Sequence, residues 1–339
     1  MTARLARLAA CARSPIARAA AVAVLLVLVI AGCGSQTASV PAPNGPAQGS
    51  LLVLETRPCN WLSPPDPNRC DAAGLARIGL GGELLEELTP ELPMAMRSMA
   101  LSHDRSAIAW TWNWELAVMG IDGSAPRVVN DKLLAENMGE TLLDPTWSPD
   151  GSELLYRWSG ATGEETWYRV SVESGELAEV PMPVDCAAMA WSPDGRRVAC
   201  EVWAGDEATG VGETDLFLVE LETLAATELT RADDGISAYR PDWSPDGRWL
   251  AFARRADDGE AASDVDGIWV LELETGEGKR VAPGGISLPS WSPDGGHLAA
   301  YDDELDKVII VGRDGSGLVA LDHEPLRFVA PRWLPDDQG

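Results

Sequence analysis

Trp147-Ser148-Pro149-Asp150-Gly151 is repeated unchanged at Trp191–Gly195, Trp243–Gly247 and Trp291–Gly295. Four copies of one five-residue word mean that one small unit has been duplicated. Pro149, Pro193, Pro245 and Pro293 each fix φ for the second position of a type I turn. The flanking Ser and Asp can bond nearby backbone N–H groups, and Gly accepts the left-handed conformation that closes the turn. Ser-Pro-Asp-Gly therefore reads as a tight hairpin between antiparallel strands. Short apolar runs follow each copy: Leu154-Leu155-Tyr156, Val198-Ala199-Cys200, Leu250-Ala251-Phe252 and Leu298-Ala299-Ala300-Tyr301. Their length suits strands buried on both faces.

The intact copies stand 44, 52 and 48 residues apart. A period of roughly 40–50 residues with about four short strands per copy is the signature of a β-propeller blade. Two degenerate copies extend the array. Leu101-Ser102-His103-Asp104 lies 46 residues before Trp147, and Trp333-Leu334-Pro335-Asp336 lies 42 residues after Trp291. The pattern resembles the TolB-like, or WD40-like, β-propeller family over residues 50–339. The motif residues of that family are turn and packing residues, so the resemblance implies a fold rather than an activity.

The expected fold is all-β, a six-bladed β-propeller. Strands are predicted at Ser50–Arg57, Leu75–Leu80 and Leu84–Thr89, with a long loop over Thr56–Gly74. A lone strand is predicted at Leu326–Trp333. Three strands from one end and one from the other make one blade, which removes the open edges of an unclosed array. Five further blades are expected at 97–131, 143–182, 184–232, 238–285 and 286–323.

Residues 1–33 read as a targeting segment. Arg4, Arg7, Arg13 and Arg18 form a basic start, and Ala19–Ile30 is an apolar run too short for an ordinary span. Ile30-Ala31-Gly32-Cys33 is similar to a bacterial lipobox, which implies cleavage before Cys33 and lipidation of its thiol. A plain signal peptide or a short anchor helix is the alternative. Residues 34–49 lack charge and are rich in Gly, Ser, Pro, Ala and Gln, as in a flexible tether. The expected location is the outer face of the cell membrane, held by the Cys33 lipid alone.

The chain carries 26 Lys and Arg against 53 Asp and Glu, a formal net charge of −27. Loss of the four leader arginines would bring it to about −31. So acidic a domain repels nucleic-acid phosphates and anionic lipid headgroups, which excludes nucleic acid as a partner. Four Cys remain after Cys11 and Cys33. Cys186 and Cys200 flank a hairpin turn and are expected to pair, leaving Cys59 with Cys70; free buried thiols are the alternative. Zinc-like CxxC spacing is absent.

Strand alternation puts the Ser-Pro-Asp-Gly turns at one end of the ring. The loops between second and third strands and the blade connections lie at the other. That second end is acidic: Glu164, Glu165, Asp206, Glu207, Asp257, Asp258, Asp264, Asp266, Asp302 and Asp303 form a candidate binding rim. It suits an envelope protein or peptide with a basic surface, partly by steering. Solvated charge with no partner is the plain alternative, and calcium is a further possibility because oxygen ligands are plentiful. No EF-hand loop is present, and no cofactor or resident metal is expected.

The turn carboxylates Asp150, Asp194, Asp246 and Asp294 read as turn-formers, not catalytic groups, and the motif Trp residues as inter-blade packing. Trp110, Trp112 and Trp114 alternate at strand spacing and are either core or a ligand platform. There is no Gly-x-Ser-x-Gly elbow, no phosphate loop and no apparent cluster of His103, His297 and His323. No hydrolase domain is expected to follow the repeats. The expectation is a monomeric, non-catalytic binding or scaffold module. The alternatives are a lactonase- or lyase-type enzyme with a channel metal, and a cell-wall carbohydrate binder using exposed Trp.

Overall fold

The computed structural model describes residues 47–57, 72–88, 96–112, 115–129, 141–160, 164–206, 211–231, 236–256, 264–322 and 331–334. The leader, Cys33, the tether up to residue 46, Cys59, Cys70, Glu207, Asp257, Asp258, Trp114 and His323 lie outside them. So do residues 326–330 of the predicted last strand and residues 58–71 of the predicted long loop.

The described chain forms six four-stranded antiparallel sheets, a six-bladed β-propeller. Blade 3 shows how each is built, with strands at Thr141–Trp147, Glu153–Ser159, Glu165–Ser171 and Leu177–Val180 from the axis outward. Blade 1 is composite. Arg332–Leu334 is its innermost strand and pairs with Ser50–Arg57, which is followed by Ala72–Ile78 and Leu84–Glu87. The register couples Leu51 to Trp333 and Leu52 to Arg332, so the expected three-plus-one closure is observed.

Each turn is held the same way. Ser148 Oγ donates to Asp150 Oδ1 at 2.7 Å and accepts the Glu153 N–H at 2.9 Å. Gly151 N–H donates to the Ser148 carbonyl with φ of 70°, a conformation that favours glycine. Asp194, Asp246 and Asp294 accept from Ser192, Ser244 and Ser292, each at 2.6 Å. Those hydroxyl bonds are what the turn needs of each carboxylate. For Asp150 the Ser148 hydrogen bond leads, and the carboxyl is drawn down to about 2.

Six hydrophobic clusters fill the spaces between neighbouring blades. One packs Leu51, Val53, Ala76 and Ile78 of blade 1 against Val308, Ile310 and Leu321 of blade 6. Another packs Leu52 and Leu75 against Met99, Ile108 and Trp110 of blade 2. Blade 1 thus has a buried face on both sides, as a closed ring requires. Trp110 belongs to this core at 6 % exposure.

The motif indoles cross from blade to blade. Trp147 Nε1 donates to the Ala100 carbonyl at 3.1 Å, Trp243 to Ala190 at 3.0 Å, Trp291 to Asp242 at 3.1 Å and Trp333 to Ser290 at 3.0 Å. Each acceptor lies on the innermost strand of the preceding blade. A buried indole must place its N–H somewhere, and this geometry places it across the seam. Trp191 differs, giving its N–H to Gly195 of its own turn. Cys186 and Cys200 are disulfide-bonded with Cα atoms 5.5 Å apart, tying the two inner strands of blade 4.

Candidate functional site

The innermost strands carry bulges. In blades 3, 5 and 6 the register shifts between Leu143 and Thr146, Tyr239 and Asp242, and Ser287 and Ser290. Each bulge holds a proline, Pro145, Pro241 or Pro289, which has no N–H for the ladder. The residue before it, Asp144, Arg240 or Leu288, sits at φ of 51–56°. Bulges re-aim side chains, and here two of the three are charged.

Asp144 and Arg240 join a network across blades 3, 4 and 5. Arg157 meets Asp144 at 3.2 Å and Glu165 at 2.7 Å, and Arg240 meets Asp144 at 3.5 Å. Glu201, only 8 % exposed, accepts the Arg240 backbone N–H. Burial pushes the Glu201 carboxyl up, opposed chiefly by the Arg240 charge.

A second site lies at the turn end, where a cavity of about 360 Å³ opens on the ring axis. All six blades line it. Arg332 and Trp333 come from blade 1, His103 and Arg105 from blade 2, and Asp242 from blade 5, with Pro145, Pro193 and Pro245 in the walls. Asp242 Oδ2 accepts the Trp291 N–H at 2.9 Å, and its Oδ1 faces Arg332 Nη1 at 3.5 Å. Desolvation pushes the Asp242 carboxyl up, with Arg332 foremost among the groups opposing it. Arg105 donates Nη1 to the Trp333 carbonyl and Nη2 to the Trp291 carbonyl at 3.5 Å. The His103 imidazole is within hydrogen-bonding reach of the Trp191 backbone, and desolvation holds its pKa below 6.5.

The rim residues fall into different roles. Glu164, Asp264 and Asp303 are exposed. Glu165 pairs with Arg157. Asp266 is buried and accepts the Ala256 N–H at 2.8 Å. Asp302 accepts the N–H groups of Glu304 and Leu305, both at 2.9 Å. Asp206 ends a strand whose side chains there are not described. Thus Asp266 and Asp302 are used to shape loops. The sequence reading missed the axial cavity. Its signal was present: His103 and Arg105 replace the Pro and Gly of the repeated word. No group of three His, Cys, Asp or Glu suited to a metal occurs among the described residues.

The chain superimposes on TolB from Acinetobacter baumannii with a TM-score of 0.63, covering 85 % of this chain and 67 % of that one at 18 % identity. In sequence it is 40 % identical to the Tol-Pal system protein TolB of Alcanivorax borkumensis over 75 residues. The fold is a TolB-like β-propeller. That sequence match covers 22 % of this chain and 16 % of the relative. A protein named uncharacterized peptidase YuxL, from Bacillus subtilis, is 30 % identical over 161 residues, which are 38 % of this chain and 24 % of that protein. The chain thus matches about a quarter or less of these relatives' length. A solved oligogalacturonate lyase from Vibrio parahaemolyticus shares the fold at a TM-score of 0.51 and 14 % identity, covering 75 % of this chain and 74 % of that one. No family model matches the sequence.

Proposed function

We propose that the protein is a non-catalytic protein- or peptide-binding module of the cell envelope, held to the membrane by a lipid on Cys33. The observation that carries this reading is a closed ring presenting exposed carboxylates, Glu164, Asp264 and Asp303, at its connection end. Loops fixed to a rigid scaffold are where binding concentrates. An excess of carboxylates attracts a basic partner by steering. The TolB likeness supports a protein partner, because the relatives it reaches are named as parts of the Tol-Pal system. The leader sequence supports export.

The test is crosslinking of the full-length protein in its native envelope, followed by identification of captured proteins. The variant Glu164→Lys/Asp303→Lys should lose the capture of a basic partner at least tenfold. An unchanged set of captured proteins would overturn the acidic rim as the contact. Cys33→Ser should move the protein out of the membrane fraction, and retention there would overturn the lipid anchor.

The peptidase-named and lyase relatives favour an enzyme as the second reading. A stoichiometric, chelator-sensitive metal in the purified protein would support the lyase form of it.

A further inference from the structure

The blade 2 copy departs from the repeated word at three positions, Leu101, His103 and Arg105, and all three line one cavity; two of them lie in the turn itself. His103 stands where the other turns have Pro, and Arg105 stands where they have Gly. Arg105 takes that glycine's conformation, with φ of 62°. A side chain with a Cβ is disfavoured there, and nothing in the turn itself calls for one: its bonds from Ser102 and Asp104 match those of the regular copies. The arginine instead leans over the axis and reaches carbonyls of blades 1 and 6.

We propose that the turn end of the channel is a binding site for a carboxylate group, held between Arg105 and Arg332. The inference does not rest on the acidic rim, which lies at the opposite end.

Charge supports it first. The whole chain has twice as many acidic as basic residues. The cavity lining reverses that balance, with Arg105 and Arg332 against Asp242 alone, while desolvation favours the neutral form of His103. Asp242 is already committed at both oxygens, to the Trp291 N–H and to Arg332. Burial lowers the Arg105 pKa, the Asp242 carboxylate opposes this, and the Arg332 charge lowers it further, so an anion between the two guanidinium groups relieves a repulsion.

Donor capacity supports it next. A guanidinium has five N–H donors in a fork that matches a carboxylate. Arg105 places two of them on carbonyls. Arg332 Nε is buried and has no hydrogen-bond partner. The walls are prolines and indole edges, which complement a small apolar body attached to the acid. A cavity of about 360 Å³ accommodates a short organic acid or the last residues of a peptide. The protein's net charge of −27 penalises a phosphate dianion more than a singly charged carboxylate, and this selects between two ligands that arginine otherwise serves alike.

The experiment uses the exported form of the full chain at about 0.15 M salt, where charge beyond about 8 Å is screened. Ala-Ala-Ala with a free carboxyl terminus, the same peptide amidated, N-acetylalanine and inorganic phosphate are titrated by calorimetry and by the fluorescence of the cavity tryptophans. The free peptide should saturate in the millimolar range or below, and the amide should bind at least tenfold more weakly. N-acetylalanine binding as tightly as the free peptide would mark a small-acid site, and tighter peptide binding a peptide-terminus site; either supports the proposal. Arg105→Gly restores the glycine of the repeated word at a position of positive φ and should fold. It should lose at least tenfold in affinity, as should Arg332→Gln, with melting curves confirming both folds. Equal binding of acid and amide, tighter binding of phosphate, undiminished binding by Arg105→Gly, or no saturation by any acid would overturn it.

Discussion

The seam between blades 5 and 6 and the seam between blades 3 and 4 carry the same five-residue word and solve the same problem differently. At the first, Trp291 reaches back to the Asp242 carbonyl. At the second, Trp191 turns to its own Gly195, and a different indole crosses. Trp167, on the third strand of blade 3, donates to the Cys186 carbonyl of blade 4 at 2.9 Å. The strap runs in the opposite direction and lands beside the disulfide. Both indoles are buried, at 4 % and 7 % exposure. The constraint is a satisfied buried N–H, and the acceptor is whichever carbonyl local packing offers. A repeated word thus specifies a turn far more tightly than a contact.

The largest test of this contrast is Trp291→Ala. It removes a 2 % exposed indole and its cross-seam bond, and should cost about 3–5 kcal/mol in urea unfolding. Next comes Cys186→Ala/Cys200→Ala. A cross-link closing a 14-residue separation is worth about 3 kcal/mol. If Cys186 anchors the reversed strap, Trp167→Phe should couple to this double variant by about 0.5 kcal/mol or more in a mutant cycle. Trp291→Phe should show no such coupling; equal coupling would erase the distinction between the seams. Smaller again, Trp333→Phe keeps the packing and leaves the Ser290 carbonyl without its indole donor, at about 1 kcal/mol.

The smallest effect belongs to the turns. The Asp150 carboxyl lies at about 2 in the fold, against 3.8 without its Ser148 and Ser152 bonds. Its contribution is therefore present above about pH 4 and is lost as pH falls towards 2. Asp150→Asn should flatten the acid limb of the stability profile. His103 acts with the same sign at higher pH. Its folded value lies below 6.5, so the folded state binds fewer protons and is weakened as pH falls below that value.

Much of this molecule was legible in its sequence because its turns are chemical. Ser, Pro, Asp and Gly each have one job in the hairpin, so blade positions and the composite first blade follow from spacing. The Cys186–Cys200 pair follows from its place around one turn, although a bulge between Cys186 and Ala188 offsets the two strands there. The channel wall was harder to read. Pro145, Pro241 and Pro289 stand two residues before a motif Trp, and a proline there announces a bulge. What the bulge aims at depends on three dimensions. The acidic end was hard for another reason: Asp266 and Asp302 look like free charge in sequence and serve backbone N–H groups in the fold. The cavity at the turn end was signalled only by the copy that fits the repeat least.

The pairing of Leu52 with Arg332 joins residues 280 positions apart. A chain that emerges progressively from a ribosome or a translocation pore makes the first of these long before the last. Until then the edge of Ser50–Arg57 has no neighbour and is open to pairing with another chain. Closure waits on a contact of very high sequence separation, which slows the final step. That edge of blade 1 therefore stays open until nearly the whole chain has arrived.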